Sequence, residues 1–325
     1  MRFFLARNII QHLSFLVLTY GGRLGLSLGQ SLPCLACPYV PGCGGICYIR
    51  LLQSPMAGMG LSLPMLMSWR GLEALAGFFI FVLLVIPLGK SWCGWICPFG
   101  LLQDYLGRFR KFLGIREAQL GPKARRNLNI LKYLIFGYLL ATPVMITLGL
   151  VHPDLTLPFC AICPVKIIMP LFALDTTWLN IDSTNHVLFS LSVILVVLSG
   201  LTLIGCFLRD RLFCLVCPMS VAIHLLKPLY LLRLIKEPKA CLGCGTCRRV
   251  CPVGMTTSYQ ERTKADIQDC GCQGCLTCAE SCASDSSLSI KFGPWTVFSS
   301  SRKNSAHSDL KGWLKFLKSS RRASE

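Results

Sequence analysis

Long apolar runs alternate along this chain with short stretches crowded with cysteine and basic residues. Four runs are long and apolar enough to cross about 30 Å of hydrocarbon. They cover residues 8–28, 72–89 ("LEALAGFFIFVLLVIPLG"), 128–151 ("LNILKYLIFGYLLATPVMITLGLV") and 186–208 ("HVLFSLSVILVVLSGLTLIGCFL"). The first is interrupted by "YGGR", and no small-x-small cleavage site follows it. It therefore reads as an uncleaved anchor and not as a signal peptide.

Composition agrees with this pattern. Of 325 residues, 53% are hydrophobic and 15% charged, with a mean hydropathy of +0.56. Soluble domains carry about a quarter charged residues, so the depletion points to lipid. The net charge of +18 does not imply nucleic acid, because the basic residues gather beside the apolar runs and in a tail, and no nucleic-acid fold signature is present. Their placement follows the excess of Lys and Arg on the cytoplasmic side of membrane proteins. Lys90, Arg108, Arg110, Lys111, Arg116, Lys123, Arg125 and Arg126 follow the second run. The loop after the third has only Lys166, beside Asp154, Asp175 and Asp182, and the loop between the first two has Arg50 and Arg70. The expected topology is a multi-pass protein of the cytoplasmic membrane, with both termini inside and residues 29–71 and 152–185 outside.

The chain has twenty cysteines, mostly in tight clusters that suit metal better than cross-links. Residues 241–252, "CLGCGTCRRVCP", have the spacing Cys-x2-Cys-x2-Cys-x3-Cys-Pro, and residues 272–282, "CQGCLTCAESC", repeat it with Ala283 in place of the proline. Two such runs are the pattern of a two-cluster bacterial ferredoxin, in which the fourth Cys of each run reaches the other cluster. The expected 4Fe–4S ligand sets are Cys241, Cys244, Cys247 and Cys282, and Cys272, Cys275, Cys278 and Cys251. Zinc favours two separated cysteine pairs and fits two complete four-cysteine runs poorly. Cys270 reads as a bystander.

The membrane part contains a repeat. "GKSWCGWICPFGLLQDYLGRFR" and "RDRLFCLVCPMSVAIHLLKPLYLLRL" each carry a basic residue (Lys90, Arg211), then an aromatic (Trp92, Phe213), a cysteine pair ending in Cys-Pro, and an apolar basic helix. The outer loops echo one another too, "PCLACP" at 33–38 and "PFCAICP" at 158–164. Each half runs span, outer pair, span, inner pair, giving parallel halves related by an axis along the membrane normal. Two cysteines from each half suffice for one cubane. Cys93, Cys97, Cys214 and Cys217 are thus an expected inner site, against a dithiol or packing role. Cys34, Cys37, Cys160 and Cys163 are the matching outer set, with Cys34, Cys37, Cys43 and Cys47 as the alternative. Either a cluster or disulfides would suit an oxidising outer compartment. With inner and outer sites on opposite membrane edges, about 30 Å of apolar layer is expected between them. Cys206, within the fourth run, has no counterpart and reads as packing.

The four runs, "WCGWICPFG", "FCLVCP" and the C-terminal ferredoxin runs together resemble the NapH-type membrane ferredoxins, a polyferredoxin-like family of quinol-linked 4Fe–4S proteins, over roughly residues 5–285. "ARNIIQHLSFLVLTYGG" is similar to that family's first span. The resemblance implies cluster binding at the eight ferredoxin cysteines and a redox role for Cys93, Cys97, Cys214 and Cys217. Two departures stand out: the second inner motif is Cys-x2-Cys-Pro where the family has Cys-x3-Cys-Pro, and the outer cysteines are not a family feature. Nitrate respiration is therefore not implied.

The expected fold is a membrane all-α part of about four transmembrane helices in two parallel repeats, residues 1–126 and 127–237. A C-terminal α+β ferredoxin domain follows at 238–285, then a basic tail at 286–325. The expected function is electron transfer between ferredoxin-type 4Fe–4S clusters, the membrane-edge cysteine sites, and the quinone pool, a ferredoxin or a partner oxidoreductase subunit. The alternative is an accessory reductase, maturation factor or redox sensor serving another metalloenzyme. One or two further Fe–S clusters and a quinone are candidate cofactors, with His12 or His224 as proton partner. No helix carries a facing histidine pair for a b-type haem; His152 and His186 sit near membrane edges. There is no phosphate-binding glycine loop, nucleophile elbow or His-Glu-x-x-His motif. Met56, Met59, Met65 and Met67 read as apolar packing at the outer interface and not as copper ligands. Leu310, Trp313, Leu314 and Leu317 fall on one face of an interfacial helix, or of a helix that docks on a partner protein.

Overall fold

A computed structural model describes residues 2–302 apart from 30, 38, 41, 54–68, 151–158, 161–162, 173, 175–185, 262 and 264. The methionine-rich stretch at 56–67, His152 and the amphipathic segment at 310–317 lie outside the described residues.

Four helices follow the four apolar runs: α1 (Arg2–Tyr20), α3 (Trp69–Leu88), α5 (Pro122–Thr147) and α7 (His186–Leu208). Between them lie α2 (Tyr48–Gln53), α4 (Pro98–Phe112), α6 (Val165–Phe172) and α8 (Met219–Leu225). The first helix is displaced from the expected 8–28: it begins at Arg2 and ends at Tyr20, followed by a single tight turn over Gly21–Leu24. The reason is a close crossing. A Cβ at Gly22 would lie 2.7 Å from the carbonyl oxygens of Gly42 and Cys43, and one at Gly44 would lie 2.3 Å from that of Val17. "YGG" is where the following loop folds back onto the helix end.

Among the described residues, one helical segment, Gly71–Leu88, is long and apolar enough to cross a membrane, with mean hydropathy 2.4; Ser192–Leu208 is a shorter apolar helix. The four helices expose large apolar side chains, Leu13, Phe79, Leu134 and Leu201 among them. Part of the polar content of α1 turns inward, where Arg7 and Gln11 are buried.

The C-terminal domain is built on a three-stranded antiparallel sheet, β1 (Leu232–Lys236), β2 (Leu288–Phe292) and β3 (Trp295–Ser299), in the order β1-β2-β3. Leu234 pairs with Ile290, and both are buried on Ile267, Leu276, Ala279 and Leu288. Both cysteine runs lie between β1 and β2, with short helices α9 (Thr246–Arg249), α10 (Thr257–Gln260) and α11 (Thr277–Glu280). Each run turns through a left-handed residue just before its threonine: Gly245 at φ 72° in the first, Leu276 at φ 61° in the second. Glycine adopts that conformation freely, whereas leucine is strained there. Burial of the Leu276 side chain in the domain core offsets the strain.

The two parts are packed together. Phe3 of α1 and Trp95 reach into the ferredoxin-domain core, with Phe3 edge-on to Phe298 at 5.0 Å.

Candidate functional site

Two chain segments turn back at the base of the bundle and carry the inner cysteine pairs. After α3, a wide turn over Trp92–Ile96 leads into α4; after α7, a tight turn over Phe213–Leu215 leads towards α8. The aromatics of the repeat anchor these turns. Trp92 donates its indole N–H to the Leu84 carbonyl (2.7 Å), and Phe213 packs edge-on against Phe99 at 5.1 Å. Proline at the head of the helix after Cys97 needs no amide partner there.

Cys93, Cys97, Cys214 and Cys217 line one pocket, together with Cys34, Phe99, Gln103, Phe213 and Gln273. The repeat thus brings the two inner pairs together. Backbone amides point at the sulfurs: that of Phe99 at Cys97 and that of Met219 at Cys217, each two residues on. The same offset recurs in the ferredoxin domain, from Val253 to Cys251 and from Gly274 to Cys272. Gln103 donates to Cys214 Sγ (3.4 Å) and accepts from the Cys206 thiol (3.3 Å), so Cys206 belongs to the pocket's hydrogen-bonded surround. Burial pushes the Cys93 thiol up to about 12 and the Cys214 thiol up to about 11, with Lys90 and Arg211 respectively opposing. A bound metal centre would convert these thiols to thiolates and release their protons.

Buried cations surround the pocket. Arg211 is fully buried at φ 53°, outside the usual range for a non-glycine residue. It grips Asp104 through two bonds, Nε to Oδ1 (2.7 Å) and Nη2 to Oδ2 (2.6 Å), and also donates to Gln273 Oε1. Arg7 adds a second guanidinium on Asp104 Oδ2 (2.6 Å). Burial raises the Asp104 carboxyl, but Arg211 and Arg7 outweigh it and hold it at about 2. Lys90, the counterpart of Arg211 in the repeat, donates to Ser220 Oγ (2.8 Å) and to the Cys270 carbonyl (3.1 Å). Cationic groups this close favour a negatively charged cluster.

The second ferredoxin run packs against this pocket. Gln273, the residue after Cys272, forms part of its wall. Ser91 Oγ and Trp95 Nε1 both donate to the Gly274 carbonyl at 3.1 Å. Gly94 and Gly274 permit the contact: a Cβ at Gly94 would lie 2.5 Å from Gln273 O, and one at Gly274 2.7 Å from the Ser91 nitrogen. Within the ferredoxin domain, Cys251 of the first run faces Cys272 and Cys275 of the second, while Cys282 of the second faces Cys247 of the first. This crossed pattern is the one two cubanes require. Among the described residues, no three His, Cys, Asp or Glu side chains converge closely enough for a single metal ion.

The outer cysteines are grouped differently from either expected set. Cys37, Cys47, Cys160 and Cys163 line a second pocket, whereas Cys34 lines the inner one. Cys43 faces neither; its sulfur lies 2.6 Å from Gly45 O and 3.3 Å from Leu18 O. The cause is the inward fold of the loop after α1. Cys47 N–H donates to Ala36 O (3.0 Å), Tyr48 N–H to Leu32 O (3.2 Å), and the Tyr48 ring stacks on Phe81 of α3 at 3.9 Å. That fold carries Cys34 and Leu35 into the bundle. Leu35 lines both pockets, so the expected apolar gap of about 30 Å between them is absent.

Comparison with known proteins finds iron–sulfur domains in two parts of the chain. Residues 70–116, which include Cys93 and Cys97, match a family described as a 4Fe-4S binding domain, and residues 233–283 match a 4Fe-4S dicluster domain. The chain is 24% identical over 243 residues to YccM of Escherichia coli K12, provisionally named an electron transport protein, covering 73% of this chain and 59% of that one. It is 27% identical over 164 residues to Protein NirI of Paracoccus denitrificans, covering 50% of this chain and 21% of that one. These matches support the resemblance to the NapH/NirI-type iron–sulfur proteins. An uncharacterized protein of Methanocaldococcus jannaschii, MJ0750, is 24% identical over 218 residues, covering 66% of this chain and 77% of that one. No solved structure gives a significant match. The chain spans less than two thirds of the length of YccM, and the two 4Fe-4S matches support two 4Fe–4S clusters.

Sequence reasoning missed Gln103, Asp104 and Gln273 as site residues. The available signal was weak: two polar residues within the apolar stretch of α4, and a glutamine next to a cysteine.

Proposed function

We propose that this chain is a membrane-anchored electron carrier, linking its ferredoxin clusters to an inner cysteine site and onward to quinone or a partner oxidoreductase. The carrying observation is Gln273, which adjoins Cys272 and also walls the pocket of Cys93, Cys97, Cys214 and Cys217. When bound, each 4Fe–4S cluster supplies a one-electron couple. The crossed sets Cys241, Cys244, Cys247 and Cys282, and Cys272, Cys275, Cys278 and Cys251, hold the ferredoxin pair. Cys93, Cys97, Cys214 and Cys217 hold a third. Arg211 and Lys90 offset its charge, and Phe99 and Phe213 exclude water. Exposed apolar side chains on α1, α3, α5 and α7 support lipid contact and four spans. The basic segments beside α4 and after α7 support cytoplasmic placement of the ferredoxin domain and both termini in a cytoplasmic membrane.

Replacing Cys93 and Cys214 together with serine in anaerobically purified protein should remove about four irons per chain, one cubane's worth. The two ferredoxin EPR signals should remain. An iron content unchanged by the double substitution would sink the inner site.

A quinone reading is favoured by the pocket that Lys132, Tyr133, His224, Met255 and Cys270 line beside Cys272. Burial, then Lys90 and Lys227, hold the His224 imidazole down at about 4, so it is neutral at pH 7. Its Nδ1 has no hydrogen-bond partner among the described residues. His12 is already engaged: Nδ1 donates to Asn8 O (2.6 Å), leaving Nε2 to accept from the Tyr105 hydroxyl. His224→Ala should raise the quinol concentration for half-maximal cluster reduction about tenfold, the loss of one hydrogen bond. An unchanged dependence would remove His224 from the quinone site.

A further inference from the structure

The four cysteines of the second pocket come from three places in the sequence. Cys37 and Cys47 lie ten residues apart in the loop after α1, and Cys160 and Cys163 lie just before α6. All four are buried, and they share one apolar pocket with Leu35, Tyr39, Phe159 and Lys166. Three of the four sulfurs have the environment of the ferredoxin ligands. The amide two residues on points at each: Tyr39 at Cys37, Ile49 at Cys47 and Val165 at Cys163. Cys43 also has such an amide, from Gly45 at 3.4 Å. Its sulfur, however, abuts two carbonyl oxygens, which repel a thiolate.

We propose that Cys37, Cys47, Cys160 and Cys163 hold a further 4Fe–4S cluster, separate from the inner site and one layer of side chains beyond it. Four thiolates around a cubane core carry net negative charge in a largely apolar surround. Among the described residues, Lys166 is the one cation in the pocket wall, and its ammonium lies 4.9 Å from the centroid of the Tyr39 ring. Among the described residues, no three His, Cys, Asp or Glu side chains converge closely enough for a single metal ion such as zinc. Cys34 is left out for a geometric reason: it sits in the wall between the pockets, facing Cys97 and Cys93 on one side and Cys47 on the other.

The shared wall gives the site a role. The metal-binding claim stands without the inner cluster; the electron step rests on it. One electron leaves the inner-site cluster, which is oxidised, and enters the outer one, which is reduced; no bond forms or breaks and no proton is required. The order of sites is then ferredoxin pair, inner pocket, Leu35 and Cys34, outer pocket.

The test uses the full chain, purified anaerobically in detergent, with iron and acid-labile sulfide counted and EPR recorded. Four cubanes give about sixteen irons per chain. Cys160→Ser and Cys37→Ser should each lose about a quarter of that iron while the ferredoxin signals persist, and Cys43→Ser should lose none. Unchanged iron in Cys160→Ser would overturn the proposal, as would a disulfide between any two of the four cysteines in the anaerobic wild-type protein. Should the variants not accumulate, wild-type protein decides. Iodoacetamide should leave the four cysteines unlabelled until a chelator strips the iron, and labelling before stripping refutes the site. A wild-type count near twelve that still falls by about four in Cys160→Ser would remove the inner cluster and keep this one.

Discussion

Asp104→Asn should destabilise the folded chain by about 3–5 kcal/mol, because it strips the counter-charge from a fully buried arginine. Arg211 is 0% exposed and makes its two-bond grip on this carboxylate alone, while Arg7 shares the same oxygen. Asparagine keeps the shape and loses the charge, leaving two guanidiniums facing each other. In detergent the thermal midpoint should drop by several degrees, and protease should cut between the ferredoxin domain and α8. A midpoint matching wild type would mean that the ion cluster is not needed for docking. The same group predicts an acid limit. Its carboxyl is held at about 2, against an ordinary 3.8, so its contribution is fully present above about pH 4. It is lost as pH falls towards 2, and the variant should lack that acid-dependent step.

Gly94→Val should uncouple the ferredoxin domain from the inner pocket without destroying either. The new Cβ would meet backbone, Gln273 O at 2.5 Å and Cys275 Cα at 3.1 Å, and no flexible side chain stands there to yield. Overpacking of this kind costs about 1–3 kcal/mol, and the simplest relief is for the domain to move away. The Gly94 carbonyl also accepts from Arg7 Nε (3.1 Å) and Gln11 Nε2 (3.0 Å), which fix the segment from the other side. Iron content and the ferredoxin EPR signals should be retained, while reduction of the inner site through the ferredoxin domain slows. Transfer at the wild-type rate in rapid-mixing experiments would show that this contact is not the route.

What was legible in the sequence was local. The ferredoxin runs carry their crossed pairing in their spacing, and the repeat of Lys90-x-Trp92 and Arg211-x-Phe213 led to two cysteine pairs that do share a pocket. The grouping of Cys47 with Cys160 and Cys163 was not legible because it depends on a tertiary event: Leu32, Ala36 and Tyr48 zip the loop after α1 together and Phe81 receives it. No periodicity encodes that. The motif "PCLACP" made Cys34 and Cys37 look like a pair, yet the chain bends at Cys34, where Ala36 N–H turns back to the Cys34 carbonyl, and the two side chains serve different pockets. Asp104 was hidden for a similar reason. A lone acidic residue on an amphipathic helix reads as solvated until the buried partners from α1 and from the turn after α7 are seen around it.

The closure of the inner pocket by Gln273 and Gly274 also bears on biogenesis. A folded domain held over the cavity through Ser91, Trp95 and Arg211 narrows the way in for anything as large as a cubane once that cap is seated. A cluster held as proposed by Cys93, Cys97, Cys214 and Cys217 would enter while the C-terminal domain is still unfolded or undocked. In a chain made from its N-terminus, the half that carries α1 to α8 emerges first and waits open. Completion of the ferredoxin domain then acts as the latch, so maturation would run in chain order.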